Sequence, residues 1–209
     1  MTVAAEAHAL LVHETSGLGL DARQVDQLWN HLELIEKWNQ VHNLTAVRGL
    51  DNLVRQHALD SLAVLPHLNA RALLDVGSGA GLPGIPLAIA RPEIAVTLLD
   101  SSHKKTAFIR QAIATLQLAN VQVIDARVES APAAARYDVI ISRAFAELAD
   151  FAQLAHHHLA AGGTMLAMKG LHPFEEIDRL PAAFRVREVI RLAVPALTAE
   201  RHLVVLEKV

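Results

Sequence analysis

Four glycines fall within Gly77-Ser78-Gly79-Ala80-Gly81-Leu82-Pro83-Gly84, between an apolar run ending at Val76 and a helix-length segment around Pro86 to Ala90. Glycines at such a strand-to-helix turn let the backbone take positive φ and approach a ligand closely, and the helix start offers free N–H groups to it. A glycine-rich turn that only packs strand on helix is the plainer alternative, but this many glycines cost conformational entropy that packing alone seldom warrants. Asp100 closes the next apolar run, where a carboxylate can take both hydroxyls of a ribose. The spacing Gly79-x-Gly81-x-x-Gly84 also fits a dinucleotide fingerprint. Two features oppose it. Asp75 stands two residues before Gly77, where it would repel a pyrophosphate and suit the positively charged amino-acid end of S-adenosylmethionine. Tyr137 has no Lys four residues on, so no hydride-transfer pair accompanies the loop.

The elements that would position these residues can be read from periodicity. Val25, Leu28, Leu32, Ile35 and Trp38 recur at helical spacing within 21–41, and a second helix is expected over 51–65, capped by Asp51 and stopped by Pro66. Short apolar runs then follow at 71–76, 94–99, 121–124, 137–142 and 164–169, separated by helix-length segments, which is the pattern of a parallel sheet covered by helices. A short helix near 174–180 leads to the runs 184–194 and 201–209, expected to pair as an antiparallel hairpin at the sheet's edge. The expected fold is α/β: a Rossmann-like class I methyltransferase fold with a seven-stranded, mostly parallel sheet, a C-terminal antiparallel hairpin and an N-terminal helical extension. The extension is placed at 1–66, packed on a single methyltransferase unit at 67–209.

Composition narrows the chemistry further. The 209 residues contain no Cys, which excludes thiolate metal sites, disulfides and any Cys nucleophile. No run approaches the roughly 18 to 20 apolar residues of a membrane span. Glu6, His8 and His13 interrupt the apolar start, so a cytoplasmic protein is expected, with no membrane partner and no metal. The net charge of −3 argues against a general nucleic-acid coat, leaving room for a local basic patch.

Many ordered motifs together resemble one family, the bacterial 16S rRNA guanine-N7 methyltransferases, also called glucose-inhibited division protein B. They are Lys37-Trp38-Asn39, His42-Asn43-Leu44-Thr45, His57-Ala58-Leu59-Asp60-Ser61, the loop from Asp75 to Leu87, Leu98-Leu99-Asp100-Ser101, Arg127-Val128-Glu129, Ile141-Ser142-Arg143-Ala144-Phe145, Lys169-Gly170 and Glu200-Arg201-His202-Leu203. The resemblance implies S-adenosylmethionine held by Gly77, Leu82, the Val128–Glu129 pair and Arg143, and a target guanine in the 530 loop of 16S ribosomal RNA. From the loop chemistry, Asp75, Gly79, Gly81 and Asp100 join the expected cofactor set. The general fold would put an adenine-reading acid at Asp125, whereas the family motif points to Val128 and Glu129, which are preferred.

Guanine N7 carries a free lone pair, so it can attack a sulfonium methyl without a general base. Ser142-Arg143-Ala144-Phe145 stands where exocyclic-amine methyltransferases commonly carry an Asp/Asn-Pro-Pro-aromatic motif. What remains is alignment, and Arg143 is the expected catalytic residue, able to pair with O6; its alternative is a salt bridge to a neighbouring carboxylate. Lys104, Lys105, Arg127, Lys169 and Arg201, with Arg110 and Arg143, form the expected basic rim for RNA phosphates. The substrate would be naked 16S RNA or a small-subunit assembly particle, bound by a monomer. His57, Asp60 and Ser61 share one helix face and are expected to fix the N-terminal helices to the sheet, since no nucleophile elbow surrounds Ser61. His156-His157-His158 are expected on the surface, because consecutive helical residues diverge too far to share an ion. A small-molecule or protein methyltransferase, a non-catalytic cofactor sensor and a nicotinamide enzyme are the competing functions.

Overall fold

The computed structural model describes residues 2–132 and 136–209. Its seven strands are β1 (Ala72–Val76), β2 (Ala95–Asp100), β3 (Val121–Asp125), β4 (Tyr137–Arg143), β5 (Leu159–Lys169), β6 (Phe184–Arg191) and β7 (His202–Lys208). They lie in the order β3-β2-β1-β4-β5-β7-β6. β1 to β5 pair in parallel, whereas β7 runs antiparallel to both β5 and β6. The expected closing hairpin is therefore present, with β7 inserted between β5 and β6.

Side chains alternate across a strand, and here the alternation divides the core in two. Leu73, Val96, Leu98, Val139, Ile141, Leu166, Met168, Leu203 and Val205 face one layer. Leu74, Val76, Leu99, Ile140, Met165, Ala167, Val204 and Leu206 face the other. Burial on both faces is why these strands read as near-continuous apolar runs.

The first layer is filled by α1 (Val3–Thr15), α2 (Ala22–His42), α3 (Leu50–Leu53), α4 (Asp60–Leu62), α5 (Gly84–Ala90) and α6 (His103–Leu116). The second holds α7 (Leu148–Ala155) and receives Ile177 from α8 (Phe174–Asp178). α2 begins at a capping box, in which Asp21 accepts from Gln24 N and the Gln24 side chain accepts from Asp21 N. It is then tied to the sheet's helices: Gln24 donates to Ile89 O at 2.7 Å and Gln27 to Leu116 O at 2.6 Å. The N-terminal helices thus share one core with the strands. Among the described residues no helix is long and apolar enough to cross a membrane.

Two expectations need correction, and one helix had no counterpart in the sequence reading. The second helix spans 50–62 and contains a π-helical turn, Val54–Leu59; Gly49 precedes it as N-cap, Asp51 pairs with Arg55 instead, and Pro66 sits in a separate 3-10 turn. α1 carries no strong apolar periodicity and was not expected, yet Ala7 and Leu11 are buried. His156–His158 form a 3-10 turn after α7, which brings His158 inward: it is buried, and Nε2–H donates to Val128 O at 3.1 Å.

Candidate functional site

The carboxyl ends of β1, β2 and β4 carry the residues singled out above, and two neighbouring cavities open there. The first, of about 300 Å³, is lined by Gly77, Asp100, Lys105, Arg127, Val128, Glu129, Ala144 and Phe145 among others. The second, of about 470 Å³, is lined by Thr45, Gln56, His57, Asp60, Arg143, Ala144, Lys169 and Arg201 among others. Ala144 belongs to both walls. Its φ of 54° puts a non-glycine residue in the left-handed region, a strained conformation that recurs at functional sites. A cavity of about 480 Å³ lined by Arg71 and Asp138 lies at the opposite, amino end of the strands. Ligands of open α/β sheets bind at the carboxyl ends instead.

The glycine loop is held by main-chain bonds. Gly77 N and Ser78 N donate to Leu99 O at 2.8 and 3.1 Å, so the loop folds back over the end of β2. Gly77 has φ 70°, and a Cβ there would lie 2.6 Å from the Phe145 ring, which therefore rests on bare backbone at the mouth of the first cavity. Gly84 serves packing: a Cβ would lie 2.2 Å from Leu98 and 2.8 Å from Asp75, so α5 meets the sheet at this glycine. Gly79 and Gly81 also have positive φ, and Leu82 is buried, giving its N–H to Ser78 O. From α2, His31 Nε2–H donates to Ala80 O at 2.9 Å; burial pushes this imidazole down to about 4.

The two loop carboxylates have different settings. Asp100 accepts from Gly79 N and Ser102 N, both at 2.9 Å, and lies 3.8 Å from Lys105 Nζ. It lines the first cavity, and a carboxylate with about four lone-pair sites retains capacity for a ligand's hydroxyls. Asp75 lines neither cavity. It is fully buried, Oδ2 accepts from Gly84 N at 2.8 Å, and Oδ1 has no partner among the described residues. Burial pushes its carboxyl up to about 7, against the opposing pull of the Gly84 N–H.

The turn after β3 supplies the far wall of the first cavity. Val128 is buried and Glu129 is half exposed at its rim. Asp125, the alternative acid, points to α6, where Thr106 Oγ1 donates to it at 2.8 Å and His103 lies against it; it does not line the cavity.

In the second cavity the structure joins residues far apart in sequence. Arg143 Nη1 donates to Gln56 O at 2.9 Å and to Asp60 Oδ2 at 3.1 Å. Arg201 Nε donates to the other oxygen, Asp60 Oδ1, at 2.8 Å. His57 lies 2.9 Å from Thr45 Oγ1 and 3.4 Å from Arg143 Nη2; burial first, then the Arg143 charge, push it down to about 3. The π-helical turn is what delivers the Gln56 carbonyl, His57 and the following Asp60 to Arg143, and single π turns recur at functional sites. The expected role of Asp60 in tying this helix to the sheet is present as an ion pair.

The expected basic rim divides. Arg143, Lys169 and Arg201 are mostly buried and already paired, Lys169 with Glu176 at 2.7 Å and with Ala146 O at 3.0 Å. Lys105 and Arg127 flank the first cavity. Lys104 and Arg110 are exposed on α6. Gln56 and Glu176 join the site only in the fold, since nothing in their neighbouring residues marks them in the sequence. Among the described residues no group of three His, Asp or Glu could hold a metal ion.

Residues 24–204 match the family model GidB, described as rRNA small subunit methyltransferase G. A ribosomal RNA small subunit methyltransferase G from Laribacter hongkongensis is 52% identical over 188 residues, covering 90% of this chain and 91% of its own. The protein of that name from Nitrosospira multiformis is 50% identical over 201 residues, with 93% of each chain covered. Among solved structures, the glycopeptide N-methyltransferase MtfA in complex with S-adenosyl-L-homocysteine aligns with TM-score 0.63 at 13% identity, covering 73% of this chain and 87% of its own. A 16S rRNA (adenine(1408)-N(1))-methyltransferase variant from Catenulisporales acidiphilia aligns with TM-score 0.54 at 21% identity, covering 72% and 91%. These two establish the class I methyltransferase fold. With half of its residues identical to curated relatives along almost its whole length, the chain belongs to the rRNA small subunit methyltransferase G family.

Proposed function

We propose that the protein transfers a methyl group from S-adenosylmethionine to N7 of a guanine in the 530 loop of 16S ribosomal RNA, acting as a cytoplasmic monomer on the RNA or on a small-subunit assembly particle. The observation that carries this reading is the pair of adjoining cavities at the sheet's carboxyl edge, sharing Ala144 and flanked by Arg143. The names of the relatives point to small-subunit rRNA as the substrate.

The first cavity fits the cofactor. Gly77 leaves bare backbone beneath it, Asp100 offers lone pairs to ribose hydroxyls, and Val128 and Phe145 give apolar walls with Glu129 at the rim. The bound cofactor would supply an electrophilic methyl on a sulfonium. Asp75 acts from beneath the loop, bracing the start of α5.

The second cavity receives the guanine. N7 needs no proton removed before attack, and the cavity holds none of the cost of organising a base: His57 is neutral and the other titratable residues are paired. Arg143 has committed Nη1 to Asp60 and Gln56, leaving Nη2 without a carboxylate partner and available to O6. Aligning N7 with the methyl is then the main source of rate. Because A-form RNA hides N7 in a deep narrow groove, the target is taken unpaired or splayed out. Lys104, Lys105 and Arg127 would meet the phosphates; Lys105 lies 3.8 Å from Asp100 and the exposed Arg127 3.9 Å from Glu129, so both pairings are loose.

The test is to incubate the protein with methyl-labelled S-adenosylmethionine and small ribosomal subunits lacking the modification, then map label by chain cleavage specific for N7-methylguanine. Label at a 530-loop guanine is expected. Label on protein, on a small molecule or on another base would refute the assignment.

A further inference from the structure

Asp60 does not line the first cavity, yet its buried carboxylate is held on both oxygens. Its side chain is 3% exposed. One oxygen takes Arg143 from the end of β4 and the other takes Arg201 from just before β7, at 3.1 and 2.8 Å. The two guanidinium groups are thereby held against one carboxylate, and both line the second cavity. Arg201 is fixed further by its own Nη1 bond to Glu200 O, at 2.8 Å.

We infer that Asp60 is a positioning residue for the methyl transfer, setting Arg143 and Arg201 as one donor pair and offsetting their charge so that positive charge can develop on the guanine. This rests on the functional reading above. In the step, the N7 lone pair forms the new bond to the methyl carbon, the carbon–sulfur bond breaks with its electron pair left on sulfur, and no proton moves. The positive charge passes from sulfur to the purine ring. Arg143, Lys169 and Arg201 alone would oppose charge arriving in their midst. Asp60 cancels part of that field from a buried position, where screening by water is weak. Its side chain is 3% exposed and each oxygen carries an arginine, so its action on the substrate is through them.

Asp60→Asn keeps the shape and removes the charge, and Asp60→Glu keeps the charge but displaces the carboxylate by one methylene. With both substrates saturating, kcat per folded molecule is expected to fall about 100-fold in Asp60→Asn and about tenfold in Asp60→Glu, as small misplacement of reacting groups allows. The Kd for S-adenosylmethionine and the KM for small subunits should stay within about threefold, since other residues carry them. A residue that only holds the fold together would lower Tm and leave kcat of the folded fraction unchanged, and that result overturns the inference. If Asp60→Asn does not fold, Asp60→Glu decides alone: wild-type kcat in that variant overturns it. Absence of N7 methylation by the wild-type protein would instead bring down the functional reading itself, and this inference with it.

Discussion

Asp75 offers the sharpest physical test, because a fully buried carboxyl with one unpartnered oxygen makes a signed contribution to stability. Its carboxyl goes from 3.8 in the open chain up to about 7 in the fold. A raised acid binds its proton more tightly when folded, so the stability it contributes is full below 3.8 and is lost as pH rises to about 7. Each unit of difference is worth about 1.36 kcal/mol, which makes the total loss about 4 kcal/mol and the part falling between about pH 5.5 and pH 8 about 2 kcal/mol. In Asp75→Asn the side-chain oxygen still accepts from Gly84 N, while the amide group takes the place of the unpartnered oxygen. That substitution costs about 1 to 3 kcal/mol, but the cost does not vary with pH.

The assay is urea unfolding of wild type and Asp75→Asn at both pH values. The free-energy difference between them should move by about 2 kcal/mol in favour of the variant at the higher pH. His31 and His57 are present in both proteins and cancel. A difference that stays constant across that range would refute the burial argument for Asp75. The same titration bears on ligand binding: if the cofactor's cationic end favours the ionised form, wild-type affinity for S-adenosylmethionine rises between about pH 6 and pH 8, by up to about tenfold per unit of pKa change, and the variant loses the dependence.

Gly77→Ala should remain folded and lose S-adenosylmethionine binding by calorimetry, since its Cβ would strike Phe145 at a φ of 70°. Gly79→Val should do the same through backbone strain, because only Gly77 O at 3.9 Å lies near the added Cβ. Arg143→Ala should lower kcat about 100-fold at saturation and leave RNA affinity less changed; wild-type turnover in that variant would reduce Arg143 to a binding residue. It should also destabilise by about 3 to 5 kcal/mol, an upper range given partial exposure, because Asp60 would keep one partner instead of two. His57 falls from 6.5 to about 3 on folding, so its contribution is full above 6.5 and is lost as pH drops. His57→Gln should therefore flatten the acid side of the profile of unfolding free energy against pH, measured by urea, by about 1.36 kcal/mol per pH unit between about pH 6 and pH 4.

How far the sequence carried the reading differs from residue to residue, for physical reasons. The strands were legible because burial on both faces writes β1, β2 and β4 as apolar runs, and the glycine loop because only certain residues tolerate its backbone. The alternation of β1 also contained the placement of Asp75, which shares a face with Leu73 and so turns beneath α5. The loop motif alone suggested a carboxylate beside the ligand. α1 lacks a strong apolar stripe, and the π-helical turn at Val54–Leu59 has no residue pattern of its own. The charges were visible one by one, and their cancellation was not. Arg143 and Arg201 lie 83 and 141 residues from Asp60, so no spacing rule could pair them. Of the rim counted as cations in the sequence, Arg143 and Arg201 share the one carboxylate of Asp60 in the fold and Lys169 pairs with Glu176. That matching has a chemical consequence. A cavity of unpaired cations would suit a phosphate, whereas arginines partly offset and oriented by Asp60 become directional donors to a neutral base whose charge rises only as the methyl arrives.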